Sequence, residues 1–138
     1  MKPYRILSHT ADIGLVITGK SLEELFAHAG YSFFDITWDL SNVEERLLYP
    51  IRIEEEELAE LLVSFLRELL YLNQAEEYLF KRFQVQKLKL PCLEVVGFGE
   101  KIDLTRHRGK REIKAVTYHQ AEVKEKKGRF TAKVIFDI

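Results

Sequence analysis

The chain has 138 residues, of which 46% are hydrophobic and 31% charged, and its formal net charge is −1. This size and composition predict a single domain over residues 1–138 that buries a core of its own. The one cysteine, Cys92, excludes an intramolecular disulfide framework and a cysteine-rich zinc site. The first residues lack the apolar stretch of a signal peptide, and charged residues interrupt the longest apolar run, Leu58 to Leu72. We therefore expect a soluble, cytoplasmic protein with no membrane association.

The first part of the chain predicts two strands followed by a helix. Residues 4–8 and 15–19 are apolar and strand-like, and a short polar break separates them. Ser21 begins the helix, with Glu24 three residues further on. This is the capping-box spacing, in which each side chain can bond to the other's free backbone N–H. Apolar residues then recur at helical spacing and predict one buried face.

The rest of the chain predicts an edge strand, a second helix and a run of strands. Pro50 places its strand towards an edge, because proline has no N–H for a sheet hydrogen bond. An apolar face from Leu58 to Leu72 predicts the second helix. Alternating residues from Ile113 to Val123 predict one face of a long strand, and the turn at 126–129 leads into the last strand.

The order of these elements predicts an α+β fold. We expect a single two-layer domain, in which two helices pack on one face of a largely antiparallel sheet of about seven strands. The last strand should be sheltered by its neighbour, so that the C-terminus is held in place rather than frayed.

Charged residues are unevenly distributed along the chain. Residues 44–60 carry seven glutamates and two arginines, a net charge of −5, whereas residues 101–114 carry six basic and two acidic residues, a net charge of +4. The molecule should therefore be electrically two-sided, which favours an oriented encounter with a charged partner. An RNA-binding module that uses the basic run is one interpretation, although the run lacks the interleaved aromatic residues that stack on bases. Asp103 and His107 lie beside this run, and we expect them to be exposed to solvent.

Carboxylates stand near both ends of the chain. Asp12 lies in the polar break after the first strand, and Asp137 and the α-carboxyl group of Ile138 follow the last apolar strand. If the fold brings them together, three oxygen ligands converge, and such a set suits calcium, magnesium or manganese better than zinc. Asp12 could equally be a turn residue that accepts backbone hydrogen bonds. A metal-dependent phosphoester hydrolase, in which the cation activates water, is a further interpretation, although no positioned general base is evident.

Six segments form a pattern that extends from residue 8 to the last residue. In order, they are Ser8–Gly14, Ser21–Phe26, Phe33–Asp35, Leu66–Tyr71, Glu112–His119 and Val134–Ile138. Each segment is weak by itself, but their order, spacing and shared ending together resemble the archease family. The resemblance is looser between Leu72 and Lys110.

The resemblance to archease implies a non-enzymatic, chaperone-like protein cofactor that activates an RtcB-type RNA ligase. Such a protein promotes guanylylation and turnover of the ligase in tRNA splicing and RNA repair, and meets RNA only through the ligase. The resemblance also implies a divalent-metal site at Asp12, Asp137 and Ile138, with calcium as the expected cation and magnesium or manganese as alternatives. No residue of the chain is expected to be catalytic. His9 and Lys114 are the predicted contacts with the partner.

Overall fold

Two helices and nine strands are present in the computed structural model, which describes residues 2–8 and 10–138. In chain order they are β1 (Tyr4–Ser8), β2 (Asp12–Gly19), α1 (Leu22–Thr37), β3 (Trp38–Asp39), β4 (Leu47–Glu54), α2 (Leu58–Gln74), β5 (Tyr78–Lys89), β6 (Cys92–Lys101), β7 (Arg108–Gly109), β8 (Ala115–Lys126) and β9 (Arg129–Asp137). The predicted α+β class is confirmed. The predicted strands correspond to the longer ones, and the two-residue strands β3 and β7 were not anticipated.

All the strand pairs among the described residues are antiparallel, and they form three sheets. The four-stranded sheet has the order β1-β2-β9-β8, the three-stranded sheet has the order β4-β6-β5, and β3 pairs with β7. The strands are therefore divided among sheets rather than joined in one. The edge position predicted for the strand that contains Pro50 is confirmed, since β4 has a neighbour on one side only.

The two helices and both larger sheets share one hydrophobic core. Helix α1 contacts β2 and β5, and α2 packs mainly against β8. Phenylalanine rings from all of these layers meet with centroid separations of 5.1 to 6.3 Å, and they belong to Phe26, Phe33, Phe34, Phe65, Phe80, Phe83 and Phe136. Burial of one such side chain stabilises the fold by about 1.5–3 kcal/mol. The core thereby fixes β2 and β9, which occupy the middle of the four-stranded sheet.

Helix α1 begins at the predicted cap, with one difference in its hydrogen bonds. The Glu24 N–H donates to Ser21 Oγ at 3.0 Å, as the spacing predicts. The Glu24 carboxylate, however, accepts from the Lys20 N–H at 2.9 Å rather than from the Ser21 N–H. At the other end of α1, the N–H groups of Lys110 and Arg111 donate to the Thr37 carbonyl, at 2.8 and 3.3 Å. This end of the helix is therefore capped by a distant part of the chain.

Strand β8 departs from the predicted alternation at an irregularity between Thr117 and Glu122. Four residues of β8 lie between these two, but only one residue of β9 lies between their partners. An odd number of extra residues turns the following side chains to the opposite face. The prediction that alternate residues from Ile113 to Val123 share one face is therefore wrong, because Thr117 and Val123 lie on opposite faces. Gln120, inside the irregularity, has a φ of 58°.

Helix α1 has 16 residues and α2 has 17. In the part of the chain that the structure describes, no helix has the length and apolar character to cross a bilayer.

Candidate metal site at the ends of the central strands

The fold brings together the two aspartates that the sequence places 125 positions apart. Asp12 is the first residue of β2 and Asp137 is the last residue of β9, and the two are direct partners in the antiparallel register. Directly opposed residues have their side chains on the same face, with Cβ atoms about 4.5–5.5 Å apart. Ala115 of β8 is the partner of Asp137 on its other side, so the neighbour of the aspartate pair in β8 has a small, uncharged side chain. Two negative charges therefore lie side by side at one end of the sheet.

The backbone around the C-terminus is held by neighbours on both sides. The Ile138 N–H donates to the Ala11 carbonyl at 3.4 Å, and the Lys114 N–H donates to the Asp137 carbonyl at 2.8 Å. The expectation of a held C-terminus is thus confirmed. The α-carboxyl group of Ile138 follows one residue after the aspartate pair, and the Ile138 residue is 37% exposed.

One oxygen of Asp12 has no partner. Among the described residues, Asp12 Oδ1 is the buried side-chain oxygen or nitrogen atom that lacks a hydrogen bond. An unpaired buried carboxylate oxygen lowers the stability of the fold, and the like charge of Asp137 opposite it lowers the stability further. The alternative interpretation of Asp12, as a turn residue whose side chain accepts backbone hydrogen bonds, receives no support from Oδ1. A cation would satisfy both the oxygen and the charge.

The donor chemistry fits a hard divalent cation. Carboxylate oxygens are the ligands that calcium, magnesium and manganese prefer. No three side chains of His, Cys, Asp or Glu in residues 2–8 and 10–138 come close enough together to hold a metal ion. Within these described residues, a third ligand beside Asp12 and Asp137 would come from another kind of group, and the Ile138 carboxylate is the nearest along the chain.

The structure describes only one of the two residues that are predicted to contact the partner. Lys114 is exposed, and its backbone bond to Asp137 places it beside the aspartate pair. His9 lies outside the described residues. The role of both residues in partner contact stays a prediction.

The basic run at 101–114 does not form a single cationic surface. Arg106 bonds to both oxygens of the Glu100 carboxylate, and His107 Nε2 lies 3.1 Å from Glu100 Oε2. His107 is only 2% exposed, so the expectation that it faces solvent is wrong. The Asp103 N–H donates to His107 Nδ1 at 2.9 Å, which leaves the ring proton on Nε2, facing the carboxylate. The Arg106 hydrogen bond, aided by the Glu44 N–H and His107, holds the pKa of Glu100 at about 2.

The irregularity in β8 presents an aromatic residue that the sequence did not single out. The Tyr118 ring is exposed, and the Arg67 guanidinium lies 4.4 Å from its centroid. Arg67 Nε also donates to the Val116 carbonyl at 2.9 Å, so α2 is tied to β8 at this point. No glycine or proline between Ile113 and Val123 marks this surface in the sequence. Only its place inside the matched segment 112–119 set it apart.

Comparison with known proteins gives a consistent result over the whole chain. The model of the archease protein family (MTH1598/TM1083) matches residues 4–138. The archease of Pyrococcus furiosus is 37% identical over 142 aligned positions, and that of Pyrococcus abyssi is 36% identical over 142. Both alignments cover 100% of this chain and 100% of the relative.

Two solved structures resemble the fold. The solution structure of Methanobacterium thermoautotrophicum protein 1598 has a TM-score of 0.83 and 32% sequence identity, and the match covers 100% of each chain. The crystal structure of a Thermotoga maritima archease, described as a possible chaperone, has a TM-score of 0.67 and 24% identity, with 96% of this chain and 94% of that chain covered. At that identity, the second likeness concerns the fold alone.

Proposed function

The chain belongs to the archease family, and we propose from this that it is a non-enzymatic protein cofactor of an RtcB-type RNA ligase. In this proposal it promotes guanylylation and turnover of the ligase in tRNA splicing and RNA repair. It meets RNA only through the ligase, in the cytoplasm. The possible chaperone role stated for the Thermotoga maritima archease is in keeping with a protein that acts on another protein.

The observation that carries the proposed site is the pairing of Asp12 with Asp137 around a buried, unpartnered oxygen. Asp12, Asp137 and the α-carboxyl group of Ile138 would hold the cation, with calcium expected and magnesium or manganese as alternatives. When bound, the cation supplies positive charge that cancels the repulsion between the carboxylates. The chain itself contributes the rigid frame, because β2 and β9 are fixed by the core on one face.

Activation of the ligase is proposed to work through differential binding. The end of the sheet that carries Asp12, Asp137 and Lys114 is the proposed docking face. If this face binds the guanylylation-competent conformation of the ligase more tightly than the resting one, it raises the population of the competent state. A tenfold preference corresponds to about 1.4 kcal/mol, which one or two charged contacts can supply.

The test is a guanylylation assay with a purified RtcB-type ligase, GTP and manganese, with and without this protein. We expect guanylylated ligase to accumulate faster and ligation to turn over repeatedly when the protein is present. An unchanged rate at saturating protein would contradict the proposal. Hydrolysis of phosphoesters by the protein alone would instead support the enzyme interpretation.

Extension of the chain beyond Ile138 should weaken the metal site. Two added residues, such as Gly-Ser, move the terminal carboxylate away from the aspartate pair and replace it by a neutral peptide group. Since changes to groups behind the ligands already cost about 10–100-fold in metal affinity, loss of a ligand should cost at least tenfold. Calorimetric titration with calcium measures the effect.

The same two residues added to the N-terminus are the control for this extension, and they should leave the calcium affinity unchanged. Equal affinity in the C-terminally extended protein would remove the Ile138 carboxylate from the site. It would leave Asp12 and Asp137 as candidate ligands.

A further inference from the structure

A cationic cavity lies at the β1 edge of the four-stranded sheet. It has a volume of about 290 Å³ and is lined by Lys2, Tyr4, Ile6, Ile36, Lys110 and Arg111. Three of these six residues are basic, and neither aspartate of the candidate metal site is among them. This size is near the lower end of the range of about 300–1,000 Å³ for small-molecule sites. The cavity suits a small ligand.

Two of the three basic side chains are positioned by Asp35, one through its carboxylate and one through its backbone carbonyl. Asp35, which is only 9% exposed, accepts hydrogen bonds from Lys2 Nζ at 2.9 Å and from Tyr4 Oη at 2.5 Å. Lys110 Nζ donates to the Asp35 carbonyl at 2.7 Å. The backbone of Lys110 and Arg111 is fixed by bonds to the Thr37 carbonyl. The cavity wall is therefore assembled by tertiary contacts rather than by mobile surface lysines alone.

The charges of the cavity do not balance. Lys2, Lys110 and Arg111 contribute three positive charges, and Asp35 contributes one negative charge, which leaves an excess of two. Among the described residues, no carboxylate lies within ion-pair distance of Lys110 Nζ or of the Arg111 guanidinium. Tyr4 remains a neutral donor, since burial and the bond to Asp35 raise its pKa to about 12. A dianion would match this excess of two positive charges.

We propose that the cavity formed by Lys2, Lys110 and Arg111 binds a phosphoryl dianion. A guanidinium offers two parallel N–H donors to phosphate oxygens, and the ammonium groups add point charges. The Tyr4 ring, Ile6 and Ile36 give the cavity an apolar wall against which an attached sugar or base can lie. The phosphoryl group could belong to a small molecule or to the end of an RNA strand, and the second source would be a direct RNA contact that the proposed function does not include. This site is independent of the ligase-activating role proposed above.

The test is a titration followed by the backbone NMR signals of residues around the cavity, at constant ionic strength. The probes are inorganic phosphate, a nucleoside 5′-monophosphate, and a short RNA with and without a 3′-terminal phosphate. We expect saturable shifts of the Lys110 and Arg111 signals. Arg111→Gln should weaken binding by about tenfold to a hundredfold, the range for a charged hydrogen-bonding group. Arg111→Lys should restore part of the affinity, because it keeps the charge and loses the paired donors.

The control is Arg129→Gln, which removes an exposed arginine at the start of β9 and should not change the affinity. Binding of the two small probes would identify the ligand as a free phosphate compound. Binding of the RNA only when it carries the 3′-phosphate would identify a strand end. The proposal is overturned if no probe gives saturable shifts, if both RNAs bind equally while neither small probe binds, or if Arg111→Gln binds as tightly as Arg129→Gln.

Discussion

Replacement of Asp137 by alanine should remove calcium binding and, with it, the stimulation of ligase guanylylation. Asp137 supplies one of the two side-chain carboxylates of the candidate site and lies directly opposite Asp12. Loss of one ligand from three should lower the affinity by about a hundredfold or more, beyond the usual cost of changes behind the ligands. Calorimetric titration measures the binding, and the guanylylation assay measures the activity. Asp12→Ala should give the same result.

The same substitution should not damage the fold. Asp137 is exposed, and like charges directly opposite each other in a sheet destabilise it by up to about 1 kcal/mol. The metal-free Asp137→Ala variant should therefore be as stable as the wild type, or slightly more stable. Calcium at about 100 times its dissociation constant should add about 2.7 kcal/mol to the wild type alone. Thermal unfolding with and without calcium thus separates a lost ligand from a lost fold.

Glu125→Ala is the matched control for Asp137→Ala, because Glu125 is an exposed carboxylate on the neighbouring strand β8. It should change neither the calcium affinity nor the stimulation. Calcium affinity retained in both aspartate variants would exclude the proposed site. Lost affinity with full stimulation would keep the site but separate it from the function.

The aspartate pair could be anticipated only in part from the sequence. The polar break at Asp12 and the ending at Asp137 are local signals, and each identifies a carboxylate at a strand end. Whether β2 and β9 are neighbours depends on pairing between the two ends of the chain, which no local pattern encodes. The resemblance to archease supplied that step in advance, and the register of the two strands now accounts for it.

The irregularity in β8 is a second feature that the sequence does not predict. From Ile113 to Val123 the sequence contains no glycine or proline that would signal a bulge, so it predicts a regular strand. The three extra residues are accommodated near Gln120, a non-glycine residue with positive φ. Packing of β8 against α2 is decided by tertiary contacts, including the bond from Arg67 to Val116. Periodicity cannot reveal such a contact.

The burial of Glu100 was likewise not predictable from the sequence. Because of this burial, we expect Glu100→Gln to lower the free energy of unfolding strongly. β6 is the middle strand of its sheet, so this carboxylate lies in the interior, where the Glu100 side chain is only 5% exposed. Arg106, His107 and the Glu44 N–H surround it. A buried pair that loses one partner is destabilised by about 3–5 kcal/mol. Because Arg106 is itself 31% exposed, we expect Glu100→Gln to cost about 3 kcal/mol, at the low end of that range.

The stabilisation that Glu100 provides should decrease as the pH falls. Folding lowers the pKa of Glu100 from 4.5 to about 2. A lowered pKa means that the stabilisation is present in full above pH 4.5 and is lost as the pH falls towards 2. The difference in unfolding free energy between the wild type and Glu100→Gln should therefore narrow over this interval. Urea unfolding at a series of pH values measures it.

Glu45→Gln is the control, because it removes the same kind of charge from a pair of similar geometry. Glu45 accepts from Arg82 Nε at 3.0 Å and from Arg82 Nη2 at 2.8 Å, but both residues are exposed. Exposed ion pairs contribute about 0–1 kcal/mol, so this variant should lose little stability at any pH. Equal losses in the two variants would show that burial of Glu100 is not the cause. A loss confined to Glu100→Gln would show that the buried ion pair stabilises the fold. This pair joins β6 to the segment that contains Arg106 and His107.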